Sequence, residues 1–254
     1  MKKYSFVFLL LIMVACSKSD PEPVLGNCTL TKINSSQGGF SLEYDPQQRL
    51  SAVRYDDGEV LTMEYDEKNH LVKISERTGI YQAVVYSSSG LPIKAVEYRL
   101  VNGKYVAQAN YTAFEHNGSQ LSRVTYYIDN ALDSQDEFEY DNKGNLSRVV
   151  ISGMMGEGSH RHFMQLGTVQ LTHDNYKNPL FFSDMTINAL LSDYFNYMTM
   201  SPNNVLTMER RMDVGMSSYS MSYEYNKEGY PVKAKMTGQG ADSNDNLVYT
   251  YSCK

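Results

Sequence analysis

Hydrophobic and polar residues alternate along most of the chain, and turn residues interrupt the alternation at short intervals. The segment 138–151, FEYDNKGNLSRVVI, shows the unit, with two alternating runs on either side of the turn sequence DNKGN. A period of two places the apolar side chains on one face of a β-strand, and glycine supplies the positive φ of a tight turn. The segment is therefore predicted to form a β-hairpin.

This unit recurs along the chain. The anchor positions of its seven copies are Tyr44, Tyr65, Tyr86, Glu115, Tyr140, His173 and Tyr225. A further hairpin is predicted over 199–206, where Pro-Asn-Asn separates two strand-like runs. Two strands per copy, with the terminal strands added, predict about 14 to 17 short strands of about six residues each, more than an open twisted sheet usually holds. The predicted fold is all-β, a wide antiparallel meander that closes into a barrel.

One stretch breaks the alternation. Residues 183–198, SDMTINALLSDYFNYM, place apolar side chains at helical spacing after Ser183 or Asp184 as the N-cap. An amphipathic helix near 184–197, about four turns long, is predicted. Because so wide a barrel cannot be filled by its own side chains, the helix is expected inside the barrel or across one mouth, with the outer face as the alternative position.

The N-terminus has the pattern of a secretory signal. Lys2 and Lys3 precede an apolar run, and Met13-Val14-Ala15 leads to Cys16. We interpret residues 1–15 as a lipoprotein signal peptide, Cys16 as the lipidated residue, 16–26 as a flexible tether and 27–254 as a single barrel domain. The predicted location is the cell envelope, as an outer-membrane lipoprotein that faces the periplasm or the cell surface. An ordinary signal peptide or an uncleaved segment are the alternatives.

Charge and cysteine content narrow the class of protein. The formal net charge is -6 and becomes -8 without residues 1–15, which argues against a nucleic-acid partner. Outward positions of the hairpins carry charged residues, which favours a barrel tethered beside the membrane over one embedded in lipid. Cys28 and Cys253 stand at the two ends of the predicted barrel, where a disulfide would join the first strand to the last; two free thiols are the alternative.

The hairpin sequences EYDPQQRLSAV, EYDEKNHLVKI, EYDNKGNLSRV and EYNKEGYPVKA share one pattern. This pattern resembles the tyrosine-aspartate (YD) repeats of rearrangement-hotspot and teneurin shells. Together with the sequence around Cys16 and the positions of Cys28 and Cys253, the whole chain looks like bacterial lipoproteins of a domain-of-unknown-function family with a porin-like fold. The resemblance implies a wide barrel in the cell envelope, and it assigns no catalytic or binding residue.

Candidate chemistry lies mainly where the repeat fails. His160 and His162 would share one face of a strand, and with Glu157 or His173 they could ligate a divalent metal. The alternative is a polar strand end beside a glycine-rich loop. The 21 tyrosines and 9 phenylalanines are explained best by core packing and cross-strand pairing.

No catalytic motif is present, so no catalytic residue and no cofactor are assigned. The sequence favours a non-enzymatic protein that reaches the membrane through its N-terminal lipid and binds a glycan, a peptide or a small apolar ligand, or that has a structural role. The alternative is a hydrolase of envelope or dietary polymer with its site at the barrel mouth.

Overall fold

The computed structural model describes residues 28–36, 38–75, 79–156, 160–182, 184–191, 197–213, 215–238 and 244–253. Cys16, the predicted signal peptide and the predicted tether lie outside these residues. The described residues form sixteen β-strands in one closed barrel. The strands are β1 (Cys28–Asn34), β2 (Phe40–Tyr44), β3 (Leu50–Tyr55), β4 (Val60–Tyr65), β5 (Leu71–Ser75), β6 (Ile80–Tyr86), β7 (Pro92–Val101), β8 (Lys104–Asn117), β9 (Gln120–Ile128), β10 (Ala131–Tyr140), β11 (Leu146–Met155), β12 (His162–Lys177), β13 (Asn203–Met212), β14 (Gly215–Tyr225), β15 (Pro231–Gly238) and β16 (Asp245–Cys253).

The barrel closes where its first strand meets its last. Every strand pairs antiparallel with its neighbours in sequence, and β1 pairs with β16. Cys28 faces Cys253 in that register, and the two sulfur atoms form a disulfide of 2.03 Å. The predicted meander barrel and the predicted disulfide between its first and last strands are both confirmed.

The strands differ in length around the ring. Strands β1 to β6 have five to seven residues, close to the predicted six. The prediction is too short for β7 to β16, where β8 has 14 residues and β12 has 16. The tight turns that follow β2, β4, β6, β10 and β14 share one end of the barrel, which we call the turn end. The longer hairpins, such as β7–β8 and β11–β12, extend the wall at the opposite end, the open end.

Aspartate side chains build the turns at the turn end. In three of them, Oδ1 accepts hydrogen bonds from the backbone N–H groups two and four residues further along the chain. These aspartates are Asp45, Asp66 and Asp141. The hydrogen bonds favour the ionised carboxylate and lower the pKa of each of the three aspartates against the opposing effect of desolvation. The recurring aspartates therefore serve turn geometry.

Tyrosine hydroxyls tie neighbouring hairpins together at the same end. Tyr65 donates to the carbonyl oxygen of Leu50 at 2.6 Å, and Tyr86 donates to that of Leu71 at 2.9 Å. Each accepting residue is the first of the preceding strand. Burial raises the pKa of Tyr86 to about 12, so its hydroxyl remains a donor at neutral pH.

The connection between β12 and β13, residues 178–202, carries one short α-helix and one 3-10 turn. Helix α1 spans Met185–Leu190 with Asp184 as N-cap, and a 3-10 turn spans Met198–Met200. The predicted helix of about four turns is too long, because α1 ends at Leu190 with Leu191 as its C-cap. Residues 183 and 192–196 of the predicted segment lie outside the described part of the chain. The prediction of a hairpin over 199–206 is wrong. Ser201 and Asn203 are hydrogen-bonded instead to the start of β11 and to the turn before it.

This connection crosses the lumen. Asp184 Oδ2 accepts from the backbone N–H of Leu71 in β5 at 3.4 Å, and Thr186 Oγ1 lies 3.3 Å from the hydroxyl of Tyr86 in β6. In a ring of sixteen strands, β5 and β6 lie opposite β12 and β13. The helix therefore lies inside the barrel, which is one of the two positions predicted from the sequence. We call the described residues of the connection the plug.

The plug and the wall share one apolar core at the turn end. Ile187, Leu191 and Met200 of the plug belong to the same buried cluster as Leu61, Leu146 and other inward residues of the strands. Leu191 and Met200 have no exposed surface. Buried side chains therefore fill the lumen at this end.

The outer face of the barrel carries both ion pairs and aromatic side chains. Cross-strand ion pairs cover much of it, among them Arg54 with Glu43, Lys73 with Glu64 and Arg148 with Glu139. Tyrosine pairs stack between strands β6 to β9, with ring centroids 4.8 Å apart for Tyr81 and Tyr98 and 4.4 Å apart for Tyr111 and Tyr127. These stacks agree with the predicted role of the aromatic residues in cross-strand pairing.

Candidate functional site

The open end of the lumen holds a pocket of about 480 Å³, which we call the lumen pocket. Strands β6 to β11 supply most of its wall. Arg210 of β13, which is two strands beyond β11 in the ring, also lines it, and Tyr197 of the plug contributes from below. The polar and aromatic lining residues used below are Gln82, Glu97, Asn110, Tyr126, Asp133, Ser134, Asp136, Tyr197 and Arg210.

The base of the lumen pocket is where the wall meets the plug. Ala95 and Ile151 are buried apolar residues that line it. Asp136 is 6% exposed, and one of its carboxylate oxygens accepts a 2.8 Å hydrogen bond from the Tyr197 hydroxyl. The pocket therefore ends on a buried carboxylate that is hydrogen-bonded to the plug.

A second polar group lies higher on the wall. Glu97 Oε1 accepts from Arg99 Nε at 2.6 Å and from Asn110 Nδ2 at 3.5 Å. Asn110 Oδ1 in turn accepts from the backbone N–H of Asp129. The bonds to Glu97 and Asp129 hold the amide of Asn110 in one orientation at the side of the pocket.

The charges of the lumen pocket partly cancel. Glu97, Asp133 and Asp136 are acidic, and Arg210 is basic. Arg99 adds a second positive charge in contact with Glu97. The pocket combines carboxylates, amides, hydroxyls and aromatic rings around one cavity, a set that suits a ligand with many hydrogen-bonding groups.

The lumen pocket was not predicted from the sequence, although two of its residues can be recognised in the alternation of apolar and polar positions. Asp136 stands two residues before the buried Phe138, and Arg210 stands two residues after the buried Met208. A charged residue in the inward register of a strand marks a polar lining, because side chains two apart share a face. The sequence does not reveal which of these side chains meet across the lumen.

The structure does not gather the residues of the predicted metal site. His160 and His162 are exposed at the open end, and His162 Nδ1 lies 3.2 Å from the carbonyl oxygen of His160. His173 is eleven positions further along β12, roughly 35 Å away for an extended strand. Glu157 lies outside the described residues. Among the described residues, no three His, Cys, Asp or Glu side chains are grouped to hold a metal ion.

His173 has an unusual environment of its own. Its Nε2 atom is buried and has no hydrogen-bond partner among the described residues. Burial lowers the pKa of His173, while Asp141 and Asp174 act in the opposite direction. The ring occupies an anchor position of the repeat, where Tyr65 and Tyr86 place their hydroxyl groups on a backbone carbonyl.

A second cavity, also of about 480 Å³, lies at the turn end between the plug and the turns after β2 and β4. Arg49 lines it, but its guanidinium already contacts Asp45 at 2.6 Å and Asn69 at 2.8 Å and stacks over the ring of Tyr65. These contacts engage the main charged group of the cavity, so the lumen pocket is the better candidate site.

The comparisons with known proteins concern the fold. Within the described residues, no helix has the length and apolar character needed to cross a bilayer. No family model matches the chain, and no curated protein matches it in sequence. A crystal structure of a porin-like protein from Bacteroides uniformis ATCC 8492 is similar with a TM-score of 0.54 at 12% identity, covering 91% of this chain and 98% of that one. A porin-like protein from Bacteroides vulgatus ATCC 8482 is similar with a TM-score of 0.52 at 12% identity, covering 88% and 99%. The chain therefore has the porin-like barrel fold.

Proposed function

We propose that this chain is a lipid-anchored protein of the cell envelope, in or at the outer membrane, whose barrel binds a small ligand in the lumen pocket. The observation that carries the proposal is the lumen itself, which is open and polar at one end and filled by the plug at the other. A pocket of this size with a few placed polar groups is typical of a ligand site. A lumen filled with buried apolar side chains does not suit a solute channel.

The topology is consistent with an anchor at Cys16. Strand β1 starts with Cys28 at the turn end, which is the end of the barrel that the plug fills. A tether of eleven residues before Asn27 reaches at most about 40 Å when extended. The open mouth of the lumen pocket would then point away from the anchoring membrane. The ion pairs on the outer face also suit a barrel beside the membrane, because charges facing lipid are costly.

The anchor is tested by replacing Cys16→Ser. We expect the wild-type chain to fractionate with membranes and to incorporate a fatty acid, and the variant to lose both properties. A variant that still fractionates with membranes and an unlabelled wild-type chain would together contradict the anchor. Protease treatment of intact cells then decides between the periplasmic and the surface-facing orientation.

Ligand binding is tested with a pocket-filling variant and a matched control. Ser134→Phe places a large side chain in the lumen pocket, whereas Gln135→Phe makes a similar change on the outer face of the same strand. In a thermal-shift screen with saccharides, peptides and cationic amines, we expect a ligand that stabilises the wild type and the Gln135 variant but not the Ser134 variant. If no compound stabilises any of the three proteins, the proposal fails.

A second candidate function, hydrolysis of a polymer, has one observation in its favour: three carboxylates, Glu97, Asp133 and Asp136, line the same pocket. Paired carboxylates are the usual groups of glycoside hydrolysis. Enzymatic turnover that Asp136→Asn abolishes while ligand binding persists would favour this function. Binding without turnover of any substrate favours the binding protein.

A further inference from the structure

We propose that the ligand of the lumen pocket is a neutral saccharide of one to a few sugar units. This inference rests on the proposed binding function and names the ligand class. It is drawn from the chemistry of the lining, from its charge and from the volume of the pocket.

The polar groups of the pocket match hydroxyl groups. A sugar hydroxyl both donates and accepts a hydrogen bond, so it pairs best with carboxylates, amides and hydroxyls placed close together. The lumen pocket offers Gln82 and Asn110 as amides, Ser134 as a hydroxyl, and Glu97 and Asp136 as carboxylates. Asn110 and Glu97 are already hydrogen-bonded to each other, which reduces the entropic cost of ordering them around a ligand.

The pocket also offers surface for the apolar C–H face of a sugar ring. Tyr126 and Tyr197 line it, and Ala95 and Ile151 form an apolar part of its base. Aromatic rings that carry a polar handle provide a flat apolar surface together with a hydrogen-bonding group. A volume of about 480 Å³ lies within the usual range for small-ligand sites.

The charge of the lining argues for a neutral ligand. The negative charge of Glu97 is compensated by Arg99 at 2.6 Å, and Arg210 lines the same pocket as the remaining acidic groups Asp133 and Asp136. A cationic ligand would have to compete with these arginines. Hydroxyl groups can bond to both signs of charge, so the mixed lining suits a polyhydroxylated molecule better than an amine.

The experiment uses the mature chain with an array of mono- to tetrasaccharides, followed by calorimetry on any saccharide that binds, with spermidine as the cationic probe. We expect saturable saccharide binding that changes less than twofold between 20 and 500 mM salt, since neutral ligands are not screened. Gln82→Leu removes an amide from the lumen pocket and should weaken binding at least tenfold. Gln135→Leu, the same change on the outer face, should leave it within twofold.

Three outcomes decide the proposal. Saccharide binding with the stated dependence on Gln82 supports it. Salt-sensitive binding of spermidine, or binding of a peptide, without any saccharide overturns the ligand class but leaves the proposed binding function intact. If no saccharide, amine or peptide binds, both proposals fail.

Discussion

Gln48 adopts a left-handed backbone conformation, with φ of 65°, at a turn position where three other hairpins have glycine. The equivalent residues Gly90, Gly144 and Gly229 have φ between 80° and 83°. The left-handed conformation costs a residue with a side chain roughly 1 to 2 kcal/mol, whereas glycine adopts it freely. The turn after β2 therefore contains local strain that the turns with Gly90, Gly144 and Gly229 avoid, and the turn after β4 has Asn69 at the same position with φ of 67°.

Replacing Gln48→Gly should raise the free energy of unfolding by up to about 1 kcal/mol, after allowing for the greater freedom of glycine in the unfolded chain. Urea unfolding monitored by tyrosine fluorescence measures the change. The control Gln47→Gly, at a position without positive φ, should lower stability by roughly 0.5 to 1 kcal/mol. Equal effects of the two substitutions would contradict the explanation from φ.

His173 makes stability depend on pH near neutrality. Its folded pKa lies below the ordinary value of a histidine because burial disfavours the imidazolium ion. The unfolded chain therefore binds a proton first as the pH falls below about 6.5, and the folded state loses stability from there down to the folded pKa. The lowered pKa of His116 adds a contribution of the same sign.

His173→Tyr should flatten this pH dependence and add a hydroxyl bond to the preceding strand, worth about 1 kcal/mol at pH 7, as Tyr65 and Tyr86 do in their hairpins. Urea unfolding at pH 7.5 and 5.5 provides the test. His116→Tyr serves as the control and should remove only the part of the pH dependence that His116 contributes. An unchanged pH dependence in the His173 variant would show that His173 is not the titrating group.

The plug acts as part of the core and not as an appended loop. Its buried residues pack in the cluster formed by the inward residues of the wall, and its polar residues bond to strands on both sides of the ring. An isolated helix of six residues would not be stable in water, so packing within the barrel holds α1 in place. Plug and wall are expected to unfold together.

Leu191→Ala should lower the free energy of unfolding by about 2 to 5 kcal/mol, because the side chain is fully buried and its loss leaves a cavity. The matched control Leu100→Ala removes a leucine that is 52% exposed at the open end and should change stability by at most about 0.5 kcal/mol. Chemical denaturation of both variants gives the comparison. A small effect at Leu191 together with unchanged strand stability would indicate that the plug unfolds separately.

The whole barrel is closed covalently as well as by hydrogen bonds. The disulfide joins residues 225 positions apart, and it fastens the two strands whose pairing closes the ring. On the chain-entropy model, a loop of this length stabilises the folded state by roughly 5 kcal/mol at most. A closed barrel also has no free strand edge that could pair with another chain.

The double variant Cys28→Ser, Cys253→Ser should therefore be less stable by up to about 5 kcal/mol, because the loss acts on the unfolded chain and so on global unfolding. Hydrogen exchange should speed up by a similar factor at the most protected amides of β1 and β16 and of the opposite strands β8 and β9. Acceleration confined to β1 and β16 would contradict a stabilisation through the unfolded chain. Wild-type protein in which the disulfide has been reduced serves as a control that carries no substitution.

The all-β fold, the meander order and the terminal disulfide were all predictable from the sequence, because they follow from local patterns. Alternation with a period of two specifies strands, aspartate and glycine specify turns, and short connections make neighbours in sequence neighbours in space. The inward register of Asp136 and Arg210 was present in the same alternation. The resemblance to YD repeats and the lipid at Cys16 stay predictions.

Tertiary structure alone decided the length of the longer strands, the path of the plug and the location of the pocket. Helical spacing in 183–198 marked a helix but not its place, since the same apolar face can pack inside or outside a barrel. Polar contacts to Leu71 and Asp136, on different sides of the ring, set its path across the lumen. The lumen pocket joins residues of β6 and β13 that are more than a hundred positions apart, and only the closure of the ring brings them together.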